Sequence, residues 1–231
     1  KNNIQIVWFK RDLRITDHRP IFEASLNSIP TLPIYVVETD YWKQPFSNKR
    51  HWCFIHDSLG ELRKDLKNIG QTLIVRVGSV KKIFENLSHQ YNVKSIFSHE
   101  ETGNKWSYDR DKIIENWCCN NNILFTEFPS NGIVRRLKNR SEWSKIRYSR
   151  MKEDLIPTPT NLVPFFKIEE GKIPCKEDDM FENNFSGAVQ KGGRSEALKI
   201  MKSFLAHRGK SYTYNISKPG ISEQTCTRLS P

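Results

Sequence analysis

Four charges, Lys10, Arg11, Asp12 and Arg14, follow directly on the apolar run of Ile4, Ile6, Val7, Trp8 and Phe9, and they are the first residues whose type and spacing could do chemistry. Two further apolar runs close in the same way: Thr31 to Val37 leads into Glu38, and Ser95 to Ser98 leads into His99, Glu100 and Glu101. Carboxylates beside guanidinium groups can hold a polar ring or an anion, and they can equally pair with one another and tie a loop down. His99 could act as a ligand or an acid, or as a hydrogen-bonded structural residue. The chain has no G-x-G-x-x-G, no Walker lysine motif and no metal-ligand spacing.

The elements that must position these residues follow from periodicity. The first run is almost continuously apolar and rich in β-branched and aromatic types, as expected of a parallel strand covered on both faces at the centre of a sheet. After it, Thr16 and Asp17 can cap a helix whose first turn tolerates Pro20. From Lys49 to Asn68 the residues Trp52, Ile55, Leu59, Leu62 and Leu66 recur at helical spacing, and Gly70 ends the segment. A strand at Thr72 to Val77, a helix at Val80 to Tyr91, a strand at Ser95 to Ser98, a helix capped by Asn104 and a strand at Leu124 to Phe128 follow. The expected fold is α/β, a five-stranded parallel doubly wound sheet of Rossmann-like type with right-handed crossovers. The carboxyl ends of strands one, two and four then bring Arg11, Asp12, Glu38, Glu100 and Glu101 to one crevice.

The 231 residues carry a formal charge of +11, which favours a polyanionic partner through counterion release. Between Asn131 and Lys152 stand Arg135, Arg136, Lys138, Arg140, Lys145, Arg147, Arg150 and Lys152 against Glu142 alone. Such a patch can touch nucleic acid, form a solvated face, or dock an acidic neighbouring domain. The five cysteines are odd in number and follow no zinc or redox spacing, and no run reaches the roughly 18 apolar residues of a membrane span. A monomeric cytoplasmic protein without disulfides or membrane partners is expected. Beyond Met151 four prolines break up a stretch that reads as a linker to about Gln190. Gly192-Gly193-Arg194 then precedes Ser195, a good N-cap, and Ala197, Leu198, Met201, Phe204 and Leu205 form the apolar stripe of a helix belonging to a second core.

Trp8-Phe9-Lys10-Arg11-Asp12-Leu13-Arg14 with Asp17-His18 and Pro20 resembles the amino-terminal signature of the DNA photolyase and cryptochrome family. Further segments resemble the family in its order: Arg50-His51-Trp52, His99 to Asn104 with Tyr108-Asp109-Arg110-Asp111, Ser130 to Val134, and Thr227-Arg228-Leu229-Ser230-Pro231. The resemblance implies an antenna-type α/β domain over residues 1–130, a basic segment and interdomain linker over 131–190, and the truncated start of a helical FAD-binding domain over 191–231. It implies that Tyr212, Cys226, Thr227, Arg228, Leu229 and Ser230 hold the flavin phosphates, with Tyr214 a rival for the role of Tyr212. The Arg11, Asp12, Glu38, Glu100 and Glu101 crevice would hold an accessory light-harvesting chromophore, a folate or a flavin-like ring. Folate-using members place a glutamate in the helix after the fourth strand; here that stretch reads Lys105-Trp106-Ser107-Tyr108, which leaves folate doubtful. The implied activities of the whole protein are light-driven repair of pyrimidine dimers in DNA or blue-light signalling, with the catalytic residues beyond Pro231. Without the family, the chain reads as a stand-alone nucleotide-binding α/β protein with a basic tail.

Overall fold

The computed structural model describes residues 1–130, 132–181, 189–215 and 217–218. Its elements are β1 (Asn3–Phe9), α1 (Arg19–Ser25), β2 (Thr31–Val37), a single turn α2 (Thr39–Trp42), α3 (Lys49–Asn68), β3 (Ile74–Val77), α4 (Val80–Gln90), β4 (Asn92–His99), α5 (Lys105–Asn120), β5 (Leu124–Phe128), α6 (Trp143–Met151), α7 (Arg194–Ala206) and α8 (Tyr212–Asn215). The strands form one sheet in the order β3-β2-β1-β4-β5, with every neighbouring pair parallel. The expected five-stranded fold is therefore present. β1 lies at its centre, and every residue of β1 after Asn3 is buried.

The chain divides into two compact units, Lys1–Tyr41 with Arg63–Lys172, and Trp42–Leu62 with Ile173–Pro231. In the first, Ile4, Ile6 and Trp8 of β1 join Leu32, Ile34 and Val36 of β2 in a core closed by Phe84 and Leu87 of α4 and Ile114 and Trp117 of α5. Trp8 meets Phe84 edge-on at 5.5 Å between ring centres. Val7 and Phe9 occupy the alternate positions and turn to the other face, where α1 packs on β1, β4 and β5. The proline-rich stretch is anchored along this unit: Thr31 N–H donates to Val163 O at 2.9 Å, Leu162 N–H to Ile69 O at 2.8 Å, and Val75 N–H to Glu170 O at 2.7 Å. The last of these bonds covers the sheet edge: β3 has a neighbour on one side only, and its Val75 N–H finds an acceptor in the passing chain.

Two caps differ from their expected residues. Asp17 has φ 51° and exchanges hydrogen bonds with Ile156, so the N-cap of α1 falls to His18. In α7 the N-cap is Gly193, and Ser195 lies inside the first turn. Asn104 caps α5 as expected, accepting from Ser107 N–H at 2.9 Å.

The second unit is organised on aromatic rings. Trp52 stacks on Phe181 at 4.2 Å, Trp42 meets both edge-on, and Trp52 Nε1–H donates to Cys175 O at 3.2 Å. Against α3 the Gly192-Gly193 turn lies so close that a Cβ on Gly192 would stand 1.9 Å from Phe54 O. Gly60, by contrast, sits inside α3 with nothing within 4 Å of an added Cβ. The two glycines should therefore respond oppositely to alanine. Gly60→Ala is expected to stabilise by about 0.5–1 kcal/mol through the unfolded chain's lost freedom, and Gly192→Ala to destabilise by about 2 kcal/mol or more through the forced separation of turn and helix. Urea denaturation midpoints of the two variants check the signs.

Candidate functional site

β1 delivers two anchoring charges, Lys10 and Asp12, to the carboxyl edge of the sheet. Asp12 Oδ1 accepts from Lys10 N–H at 2.8 Å, and Oδ2 accepts from His18 Nε2–H at 2.7 Å and from His99 Nδ1–H at 2.6 Å. All three side chains are buried. Burial alone would raise the Asp12 carboxyl, but His18 and His99 outweigh it and hold the group well below the ordinary carboxylate range. Burial lowers His18 against the opposing pull of Asp12, so its ring is neutral at pH 7. The tautomer follows from the helix cap. Ile21 N–H donates to His18 Nδ1 at 3.2 Å, so Nδ1 has no proton and Nε2 carries it toward Asp12.

Asp12, His18 and His99 present three possible metal-ligand atoms within 4.8 Å of one another. Their geometry is that of a hydrogen-bonded clamp. Two ligands of a tetrahedral zinc ion at about 2.0–2.1 Å stand about 3.3 Å apart, beyond the 2.6 and 2.7 Å separations found. With Nδ1 occupied by an amide proton, metal at Nε2 of His18 would also require an anionic ring.

Lys10 takes a different route from the same strand end. Its Nζ lies 2.8 Å from Asp111 Oδ2, 3.3 Å from Glu127 Oε1 and 3.0 Å from His99 O. Arg110, one residue before Asp111 on α5, pairs with Glu38, with Asp111 at 2.9 Å and with Glu101 at 3.7 Å. Arg11 reaches Glu101 at 3.4 Å while keeping half its side chain in solvent. Both Lys10 and Arg110 stand over the Trp8 ring, at 4.3 and 4.7 Å from its centre. Burial would raise Asp111, yet Lys10 and Arg110 hold it below its ordinary value. Glu38 is raised instead. Burial dominates there because Arg110 is shared with two other carboxylates.

Arg11, Glu38 and Glu101 are thus brought together around Arg110, and Asp12 is turned away to the histidines. Glu100 stands apart, with its buried Oε2 lacking a hydrogen-bond partner among the described residues. Beside the network a cleft of about 270 Å³ is lined by Glu38, Asp40, Val80, Lys81, Trp106, Arg110 and Ile113 among others. It offers an aromatic face, aliphatic walls and carboxylate acceptors, which suits a flat ring bearing N–H groups. Sequence reasoning named Lys10 among the charges after β1 but left it out of the crevice, and it missed His18, Trp106, Arg110 and Asp111 as site residues. One signal was available: Asp111 falls on the buried stripe of α5 with Ser107, Ile114 and Trp117, where a charge needs a partner.

The basic segment is partly consumed internally. Arg135 pairs with Glu127 at 2.7 Å, and Arg136 donates to Tyr108 Oη at 3.2 Å and lies 3.8 Å from Glu115. Of the residues expected at flavin phosphates, Tyr212 is held edge-on against Phe204 at 5.6 Å, and its rival Tyr214 is exposed with Lys218 over its ring. Cys226, Thr227, Arg228, Leu229 and Ser230 lie outside the described residues. The described cysteines, Cys53, Cys118, Cys119 and Cys175, are free thiols, and no helix among the described residues is long and apolar enough to cross a membrane.

The clamp has a pH signature. Between the ordinary histidine value of 6.5 and the lowered value of His18, the unfolded chain binds a proton that the folded chain refuses. Stability is therefore lost as pH falls below 6.5, and Asp12 adds a further loss below 3.8. Glu38 acts oppositely, costing stability as pH rises above 4.5. His18→Asn keeps an acceptor for Ile21 N–H and a donor for Asp12 while removing the titration. From about pH 7 to about pH 5.5 the parent is expected to lose more unfolding free energy than His18→Asn; equal losses in urea titrations would contradict the clamp.

The DNA photolyase family profile matches residues 5–143, more than half of the chain. A chloroplastic/mitochondrial cryptochrome DASH of Arabidopsis thaliana is 29% identical over 105 residues, covering 43% of this chain and 18% of the relative. Among solved structures, a bacterial class III photolyase from Agrobacterium tumefaciens superposes with a TM-score of 0.77 at 19% identity, covering 100% of this chain and 50% of its own. An archaeal photolyase from Sulfolobus tokodaii, described with two FAD molecules and the implication of a novel light-harvesting cofactor, gives a TM-score of 0.63 at 20% identity over 86% of this chain and 46% of its own. The chain spans at most about half the length of these relatives. With its central charged strand end, its parallel sheet and this match, the chain belongs to the DNA photolyase family.

Proposed function

We propose that the full-length protein is a light-driven repair flavoprotein, a deoxyribodipyrimidine photolyase, and that residues 1–231 carry its antenna-type domain and the first edge of its FAD site. When bound, reduced FAD would supply one electron to a pyrimidine dimer, whose cyclobutane carbon–carbon bonds break before the electron returns. This chain's residues bind and orient. Tyr212, fixed on Phe204, and the hydroxyls and amides of Cys226 to Ser230 are assigned to the flavin phosphates, with Arg228 supplying charge. The fragment alone is assigned no activity, since a few phosphate contacts do not offset the cost of immobilising a large ligand.

The observation that carries repair over signalling is charge beside exposed aromatic rings. α6 exposes Trp143 and Tyr148, with Arg147 5.7 Å from the centre of the first ring and Lys152 4.3 Å from the second, in a chain of net charge +11. Cations supply attraction to phosphate, and rings supply stacking for unpaired bases. The second reading, a blue-light photoreceptor without repair, is favoured by the cryptochrome DASH names of sequence relatives. The discriminating experiment is dimer loss from irradiated oligonucleotide with the full-length, flavin-reduced protein in light and in darkness. Loss in light alone supports repair; equal dimer levels with flavin bound would leave signalling.

The antenna chromophore is assigned to the Trp106 cleft, with Glu38 and Asp40 as acceptors for ring N–H groups. At about 270 Å³ the cleft has room for a fused-ring system. Trp106→Ala is expected to strip the accessory absorption band while leaving repair driven by direct flavin excitation unchanged. Absorption and action spectra of the two proteins check this; an unaltered band would move the chromophore elsewhere.

A further inference from the structure

We infer that Glu61 is a positioning residue for the flavin-phosphate site, acting as the cap of a helix in which it does not lie. Its two oxygens grip the first turn of α7: Oε1 accepts from Ser195 N–H at 2.7 Å and Oε2 from Ser195 Oγ–H at 2.6 Å. The helix has no side-chain cap of its own, because Gly193 stands at that position. One turn earlier on α3, Ser58 Oγ accepts from Gly193 N–H at 3.0 Å, and Asp57 Oδ2 accepts from Gly192 N–H at 3.4 Å. The amides entering α7 are thus satisfied by the Asp57-Ser58-Glu61 face of α3, and the negative charge of Glu61 stands at the positive end of the helix dipole.

The other end of α7 carries this placement to Tyr212. Arg208 folds back to donate from Nη2 to Ile200 O at 2.9 Å and from Nε to Ser203 Oγ at 3.1 Å, closing the helix. Tyr212 then rests on Phe204. The path from Glu61 to Tyr212 therefore runs through a helix of 13 residues closed at both ends. At 1.5 Å per residue such a helix is a lever of about 20 Å, so a tilt of about 10° at the cap displaces the far end by about 3.5 Å. A shift of that size separates a phenol from a phosphate it is meant to contact.

The inference rests on the assignment of Tyr212 to the flavin, and the test separates the two. In the full-length protein, Glu61→Ala is expected to raise the FAD dissociation constant about tenfold, equivalent to about 1.4 kcal/mol. Glu61→Gln keeps an acceptor for Ser195 N–H and is expected to stay within about twofold of the parent. Loss in the first and rescue in the second supports a positioning role. Unchanged affinity in Glu61→Ala, while Tyr212→Ala weakens FAD binding about tenfold or more, overturns the inference and leaves the flavin assignment standing. FAD binding that Tyr212→Ala does not affect removes both. Should Glu61→Ala fail to fold, Ser195→Ala decides in its place: a rise of about twofold to fourfold supports the inference, and none overturns it.

Discussion

A central strand cannot end in charge without partners, and that constraint shapes the carboxyl edge of this sheet. β1 has neighbours on both sides, so Lys10 and Asp12 emerge where water has little access. An uncompensated ion there costs several kcal/mol. The two residues reach in different directions: Asp12 to the cap of α1 and the end of β4, Lys10 to α5 and β5. Four elements are tied to one strand end by two side chains. The clamp does this with a neutral histidine whose tautomer is set by a backbone amide, so Asp12 receives three N–H donors without the histidine cap having to ionise.

The same constraint limits what the crevice can do for a ligand. Asp12 and Glu101 are engaged by groups of the chain itself, and Arg110 is shared among three carboxylates. These charges build the rim of a site more than they contact its occupant. The open surface beside them is the Trp106 cleft, where Glu38, whose carboxyl is raised by burial, meets an aromatic wall. In a doubly wound fold ligands sit outside the carboxyl ends of the strands, and this cleft occupies that place beyond β2 and β3.

The fold was legible where periodicity decided it. Apolar runs marked β1 and β2 as strands, β1 as one covered on both faces, and the spacing of Trp52 to Leu66 marked α3. The features that were not legible depend on partners distant in sequence. Thr16 and Asp17 looked like caps, but Asp17 finds Ile156, more than a hundred residues on, and His18 takes the cap. Ser195 looked like an N-cap, but Glu61 supplies that function from another helix. α6 was missed because none of its residues is buried, so it has no apolar stripe to read. At the crevice, the charges on β1 and after β2 and β4 drew notice by falling at strand ends. Arg110 and Asp111 did not, because their role appears only once α5 is laid across the sheet.

The Asp12 clamp rests on the protonation of one ring, which can be observed directly. A long-range proton–nitrogen NMR spectrum of the histidine side chains at about pH 7 reports tautomer and charge for His18 and His99 separately. The clamp requires a neutral His18 with its proton on Nε2, and a proton on Nδ1 of His99, both shifted downfield by the Asp12 carboxylate. A proton on Nδ1 of His18, or loss of its Nε2 proton, would contradict it.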